Sequence, residues 1–142
     1  MEKIRSLMTT KAGFGSLVLR IPVGVILAAH GAQKLFGWFD GPGLEGVAGW
    51  FASIGLNPGL LMATLAGSAE FFGGILLILG LLTRPAAVFA AFTMLIAILI
   101  GHIGQGEGFF QYEFGLALLA ATVCLAIQGG GSYSVDERVS SS

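Results

Sequence analysis

Apolar residues fill four long stretches of this chain, and the breaks between them are rich in Gly, Pro and charge. A helix needs about 20 mostly apolar residues to cross a bilayer. By that measure the pattern predicts spans near 14–38, 59–82, 86–103 and 112–128. The second is bounded by NPG at 57–59 and TRP at 83–85, and the fourth ends in GGG at 129–131. Pro85 suits the opening of the third, because a helix start leaves its N–H positions unpaired anyway. Pro22 is expected to loosen a turn early in the first. Between the first two spans, GPGLEGVAGWFASIGLNPG (41–59) sets Leu44, Val47, Phe51 and Ile54 at helical spacing. That segment predicts a short amphipathic helix. It either lies in the interface with Trp38 and Trp50 at headgroup level or packs over the bundle mouth.

The expected fold is therefore all-α, an integral membrane four-helix bundle with a short interfacial helix in its first outer loop. Residues 1–13 form an N-terminal segment, 14–131 the transmembrane domain and 132–142 a flexible tail, with no internal repeat. Lys3, Arg5 and Lys11 resemble the positive region of a signal peptide. Arg20 interrupts the apolar run, however, and HGAQK is a poor cleavage site, so the first span is read as retained.

Composition strengthens this picture. The chain is 55% hydrophobic and only 11% charged, against roughly 25% charged in ordinary soluble domains. Mean hydropathy is +0.87. A net charge of −1 offers no basic face, so nucleic acid is not an expected partner. The lone Cys124 can neither close an intramolecular disulfide nor build a zinc or iron–sulfur site, and reads as a packing residue.

Charge also sets orientation. Lys and Arg favour the cytoplasmic side. With the N-terminus inside, Lys3, Arg5, Lys11, Arg84 and Arg138 lie inside, Arg20 lies in the inner half of its span, and Lys34 alone lies outside. Four spans then return the C-terminus inside, so the expectation is N-in, C-in.

Polar residues at membrane depth face protein or water rather than lipid. At about 100° per residue, Lys34 falls about −40° and His30 about −80° from Arg20 around the first helix. Gly24 and Gly31 share that face, at about +40° and +20°. Small residues let membrane helices approach closely, so the polar face of the first span is also its packing face. In the second span Ala63, Ala66, Gly67, Gly73 and Gly74 lie within about 60° of Glu70. A neighbouring helix must come close there and bring a donor. His30 lies about 12 Å inside Trp38 and Arg20 about 9 Å inside Phe14, so either could meet Glu70, while Lys34 reads as an outer anchor that snorkels.

Two roles compete for Glu70: a register-fixing ion pair with Arg20, or a carboxylate that binds a substrate or relays protons. His30 reads as a histidine hydrogen-bonded within the bundle or as a proton or quinone contact. The candidate catalytic residues are Glu70 and His30. The candidate ligand-binding residues are Arg20, Gln33, Lys34, His102 and Glu113, with Lys34, His102 and Glu113 ringing an outer mouth. His30 and His102 lack HxxxH or HxxE spacing, so no metal site is assigned. No phosphate loop, nucleophile elbow or dinucleotide fingerprint is present.

The stretches LRIPVGVILAAHGAQKLFGWFDGPGLEG (19–46), AGSAEFFGGILLILGLLTRPAA (66–87), YEFGLALLAA (112–121) and GGGSYSVD (129–136) resemble the DoxX family of small bacterial and archaeal membrane proteins. The matched positions are Arg20, His30, Lys34, Glu70, Arg84 and Glu113. The resemblance implies a multi-pass four-helix bundle in the bacterial or archaeal cytoplasmic membrane. The family is named for membrane subunits of sulfur-oxidising respiratory complexes. Related members form part of thiosulfate:quinone oxidoreductase, and others associate with thiol-stress enzymes. It thus implies a subunit or partner in quinone-linked thiol or sulfur redox chemistry, not a self-sufficient enzyme. Quinone is the candidate cofactor. The partners to expect are the lipid bilayer, soluble redox enzymes or other membrane subunits, and a second copy of the chain. Two other classes stand beside this reading: a transport module for a small solute or ion, and an anchor that recruits soluble redox enzymes.

Overall fold

The computed structural model describes residues 2–3 and 13–140. Arg5 and Lys11, which weighed in the expected orientation, lie outside the described residues. The helices are α1 (Phe14–Phe36), α2 (Gly43–Ser53), α3 (Gly59–Leu79), α4 (Thr83–Ile96), α5 (Phe109–Gln128) and α6 (Val135–Ser140). Beyond Ile96 the chain winds on through wide π turns (Ala97–His102) and a 3-10 turn (Ile103–Gln105). The third apolar helix therefore runs Thr83–Gln105, and among the described residues four helices are long and apolar enough to cross a membrane. No strand occurs among the described residues. Gly37 and Gly80 end α1 and α3 in the left-handed conformation, which glycine adopts without steric cost.

The four long helices form a closed ring in the order α1, α3, α4, α5, each antiparallel to its neighbours. α1 packs along α3 and α5 along α4, while the seam between α1 and α5 is the least extensive of the four. The predicted small-residue stripes explain the tightest seam. A Cβ on Gly24 would sit 2.7 Å from the Gly74 carbonyl, and one on Gly31 would collide with the Phe71 backbone nitrogen. Backbones that close leave no room for side chains, and dispersion contacts replace them. The start of α1 and the segment after α5 meet at one end of the bundle, where Ser132 N–H donates to the Gly13 carbonyl at 3.1 Å. The α1–α2–α3 connection and the α4–α5 loop lie at the other, here called the loop end.

α2 lies across that loop end. Val47 and Phe51 are buried against Ala63 of α3. Trp50 lies over Gly101, where a Cβ would come within 3.2 Å of its ring. The amphipathic face read from sequence is thus used to close the bundle, as in the second of its two expected uses.

The third span opens at Thr83, before Pro85, and within the expected tail α6 lies against the bundle. One interaction explains both. The Asp136 carboxylate of α6 accepts the N–H groups of Leu82 and Thr83, each at 2.8 Å, and so caps α4 from another part of the chain. A carboxylate also suits the positive end of a helix dipole. Burial alone would push Asp136 upward. The Thr83 and Leu82 N–H groups and the Arg20 guanidinium outweigh it and hold the carboxyl below its ordinary 3.8.

A pH dependence follows. A depressed carboxylate contributes stability that is fully present above its unfolded value and lost as pH falls through the folded one. Unfolding in mild detergent should show stability declining below about pH 4. Asp136→Asn should remove the charge-dependent part of that contribution at neutral pH and flatten the acid limb. An unchanged acid limb in Asp136→Asn would count against the cap.

Candidate functional site

Register determines which polar groups meet. Along the α1–α3 seam Gly24 faces Gly74, Gly31 faces Phe71, and Lys34 and Leu35 face Gly67. Lys34 is therefore level with the turn of α3 that precedes Glu70, and its flexible stem reaches one turn along. Its Nζ donates to Glu70 Oε2 at 2.7 Å. The Glu70 side chain is 2% exposed and that of Lys34 24%, so the pair is buried on the carboxylate side and opens at the lysine. Lys34 is thus the donor that Glu70 required, which corrects both expected partners, Arg20 and His30.

His30 stands one turn before Lys34 on α1. Its charged neighbours are Lys34 and Glu70. Its ring lies 6.1 Å from that of Phe114 on α5, tilted by 39°. The imidazole faces outward at the α1–α5 seam and hydrogen-bonds to none of the described residues.

Arg20 belongs to a different place. It is buried, and donates through Nη1 to the carbonyls of Leu77 (3.2 Å) and Ile78 (3.0 Å) and through Nη2 to that of Tyr133 (3.1 Å). The first two are last-turn carbonyls of α3, of which that of Leu77 also accepts the Gly80 N–H at 3.2 Å. Asp136 is its charged neighbour. Arg20 lies about 15 Å along α1 from His30. The buried apolar residues Leu27, Ala87 and Leu118 lie between the two clusters. The expected cluster of Glu70, His30 and Arg20 is therefore split. Lys34, Glu70 and His30 are one group, and Arg20, Asp136 and the Tyr133 carbonyl are a second, structural one.

The remaining candidates scatter. Gln33 donates to the Phe39 carbonyl at 3.3 Å and ties the end of α1 to the turn that follows. His102 pairs with Glu107, outside the bundle. Glu113 faces outward from the first turns of α5. The expected mouth of Lys34, His102 and Glu113 is not assembled, because Lys34 turns inward. No three His, Cys, Asp or Glu side chains gather as a metal-binding set among the described residues. Surface hollows of about 730 and 510 Å³ flank α6 at the end where Gly13 meets Ser132, away from Glu70.

Sequence reasoning missed two residues that the structure brings forward. Asp136 had a signal: Ser134-Val135-Asp136-Glu137 is a capping box, S-x-x-E. Ser134 Oγ accepts the Glu137 N–H at 3.0 Å and marks a helix start. Phe114 had none, since an outward aromatic on a membrane helix reads as a lipid contact.

Chemically, the group at Glu70 is a buried carboxylate, a partly exposed ammonium and an outward-facing imidazole. Such a set can hold a proton, pass it on, and offer hydrogen bonds to a polar guest. Lys34 links it to the loop end.

The family model DoxX matches residues 15–103 of this chain. The chain is 33% identical to the Bacillus subtilis (strain 168) protein named "Putative oxidoreductase CatD", over 88% of this chain and 87% of that protein. It is 31% identical to "Inner membrane protein YphA" of Escherichia coli (strain K12), over 86% and 88% respectively. It is 34% identical to "Inner membrane protein YqjF" of the same organism, over 80% and 90%. No solved structure is detectably similar.

Proposed function

This chain belongs to the DoxX family and is a multi-pass protein of the bacterial cytoplasmic membrane, and from that premise we propose that it is the membrane subunit or partner of a quinone-linked thiol or sulfur oxidoreductase. The name of the Bacillus subtilis relative supports the redox class. The observation that carries the proposal is the buried Lys34–Glu70 pair with an imidazole one turn away that hydrogen-bonds to none of the described residues. Intramembrane ionisable residues mark functional sites by default.

In this reading a partner enzyme supplies the electrons, because the chain holds one cysteine and no cofactor motif. Protons move with the electrons when a quinone becomes a quinol, and Glu70, Lys34 and His30 carry them. His30 binds a quinone carbonyl, and Glu70 holds the proton that reaches it. Lys34 connects the pair to the loop end, which faces away from the cytoplasm by the inside bias of Lys and Arg.

The test is extraction of quinone from protein purified gently out of its native membrane, wild type against Glu70→Gln. We expect near-stoichiometric quinone in the wild type and less than about a tenth of it in the variant, a loss of about 1.4 kcal/mol or more. Absence of quinone from both would overturn the reading. Glu70-dependent flux into liposomes would then point to a transport module, and a soluble enzyme co-purifying with a ligand-free bundle would point to an anchor.

A further inference from the structure

The four helix seams of this bundle are unequal, and the weakest carries the unmet chemistry. Two side-chain contacts across the α1–α5 seam frame its packed middle, where Leu27 and Leu118 belong to one buried cluster. Near the termini Ser16 Oγ donates to Gln128 Oε1 at 3.2 Å. Four turns further toward the loop end, His30 meets Phe114. At this second level the two rings are tilted against each other and both face outward. An imidazole with open nitrogens at a lipid-facing seam is costly, because hydrocarbon offers it no hydrogen bond. The Phe114 face beside it is open as well, being 52% exposed. The cap of α2 closes the loop end above α3 and α4, and the apolar layer of Leu27, Ala87 and Leu118 closes the other side. The remaining way to His30 is sideways.

We infer that the α1–α5 seam is the lateral doorway through which a membrane-dissolved ligand reaches the site, and that Phe114 is the contact residue that selects a flat ring there. The inference rests on the quinone reading above and adds to it the seat of the ring. The head ring lies against the outer face of Phe114. Its carbonyl takes a hydrogen bond from His30, and its tail stays in the lipid. Offset and tilted ring pairs are favoured at centroid separations of about 4.5–7 Å, so Phe114 favours planar rings over aliphatic heads of equal size. The Lys34–Glu70 pair lies behind His30 and is reached without the tail leaving the bilayer.

The probe is decylubiquinone, titrated in lipid nanodiscs with full-length protein. Phe114 faces outward, so Phe114→Leu and Phe114→Trp are expected to fold, which gel filtration and thermal unfolding check. Phe114→Leu should weaken binding by roughly 3- to 10-fold. In Phe114→Trp the new indole should be quenched saturably by the probe, at the concentration that half-fills the wild type. Adding His30→Leu to Phe114→Trp should shift the half-quenching concentration upward, each variant being compared with its own fluorescence in lipid alone. Binding lost in Glu70→Gln but unmoved by Phe114→Leu, with no quenching in Phe114→Trp, would overturn the doorway and leave the quinone reading standing. No binding to the wild type at all would overturn both.

Discussion

Replacing Lys34 with methionine should destabilise the bundle by about 3–5 kcal/mol, the largest effect of any substitution in the polar cluster. The reason is the asymmetry of the pair. Glu70 is 2% exposed and Lys34 24%, so removing the lysine strands the more deeply buried partner. The opposite single change is milder. Glu70→Gln still accepts a hydrogen bond from Lys34, whose flexible stem can carry the ammonium toward the loop end. The double variant Lys34→Met/Glu70→Leu should recover most of the loss, since an apolar replacement of a buried ion pair is often neutral or stabilising. Reversible unfolding in mixed micelles measures all three. Equal losses in Lys34→Met and Glu70→Gln would show that the pair is solvated after all.

The second large effect concerns the glycine seam. Gly74→Ala places a Cβ 2.5 Å from both the Ala28 nitrogen and the Gly24 carbonyl, and Gly31→Ala drives one into the Phe71 nitrogen. These are backbone atoms, so no side chain can swing aside and the helices must part. Each should destabilise by about 3 kcal/mol, the upper part of the usual overpacking range. Gly15→Ala is the control: nothing lies within 4 Å of its added Cβ. It should be neutral or stabilising by up to about 1 kcal/mol, from helix propensity alone. Because the same seam sets the register of Lys34 against Glu70, the two damaging variants should also lose bound ligand. Comparable unfolding for Gly15→Ala and Gly74→Ala would contradict close helix approach.

The four spans were legible because hydropathy is a local property, and the observed helices begin and end within a few residues of the expected bounds. The packing face of α3 was legible too: Ala63, Gly67, Glu70, Gly73 and Gly74 are all buried. What failed was depth. Counting inward from the end of each span put Arg20 and Glu70 at similar levels, although the two helices run antiparallel. Laying the stripe of Gly24 and Gly31 against that of Gly67 and Gly74 in opposite directions would have set Arg20 level with Ile78, about 12 Å along α3 from Glu70, and so removed it as a partner. The start of α4 was misjudged for a different reason. Its cap is supplied by Asp136, more than 50 residues later, and no local pattern carries that information. Phe114 escaped because its significance lies in a neighbour on another helix.

The central claim is that Lys34 and Glu70 perform chemistry rather than only fixing register, and the apolar double variant addresses it most directly. Lys34→Met/Glu70→Leu removes the charges while keeping bulk, so fold and function can be read on the same preparation. The measurement is quinone content per folded protein, compared with wild type. A bundle as stable as the wild type that holds less than about a tenth of its quinone is the predicted result. A stable double variant that keeps its quinone would contradict the account and leave the pair as a structural clasp between α1 and α3.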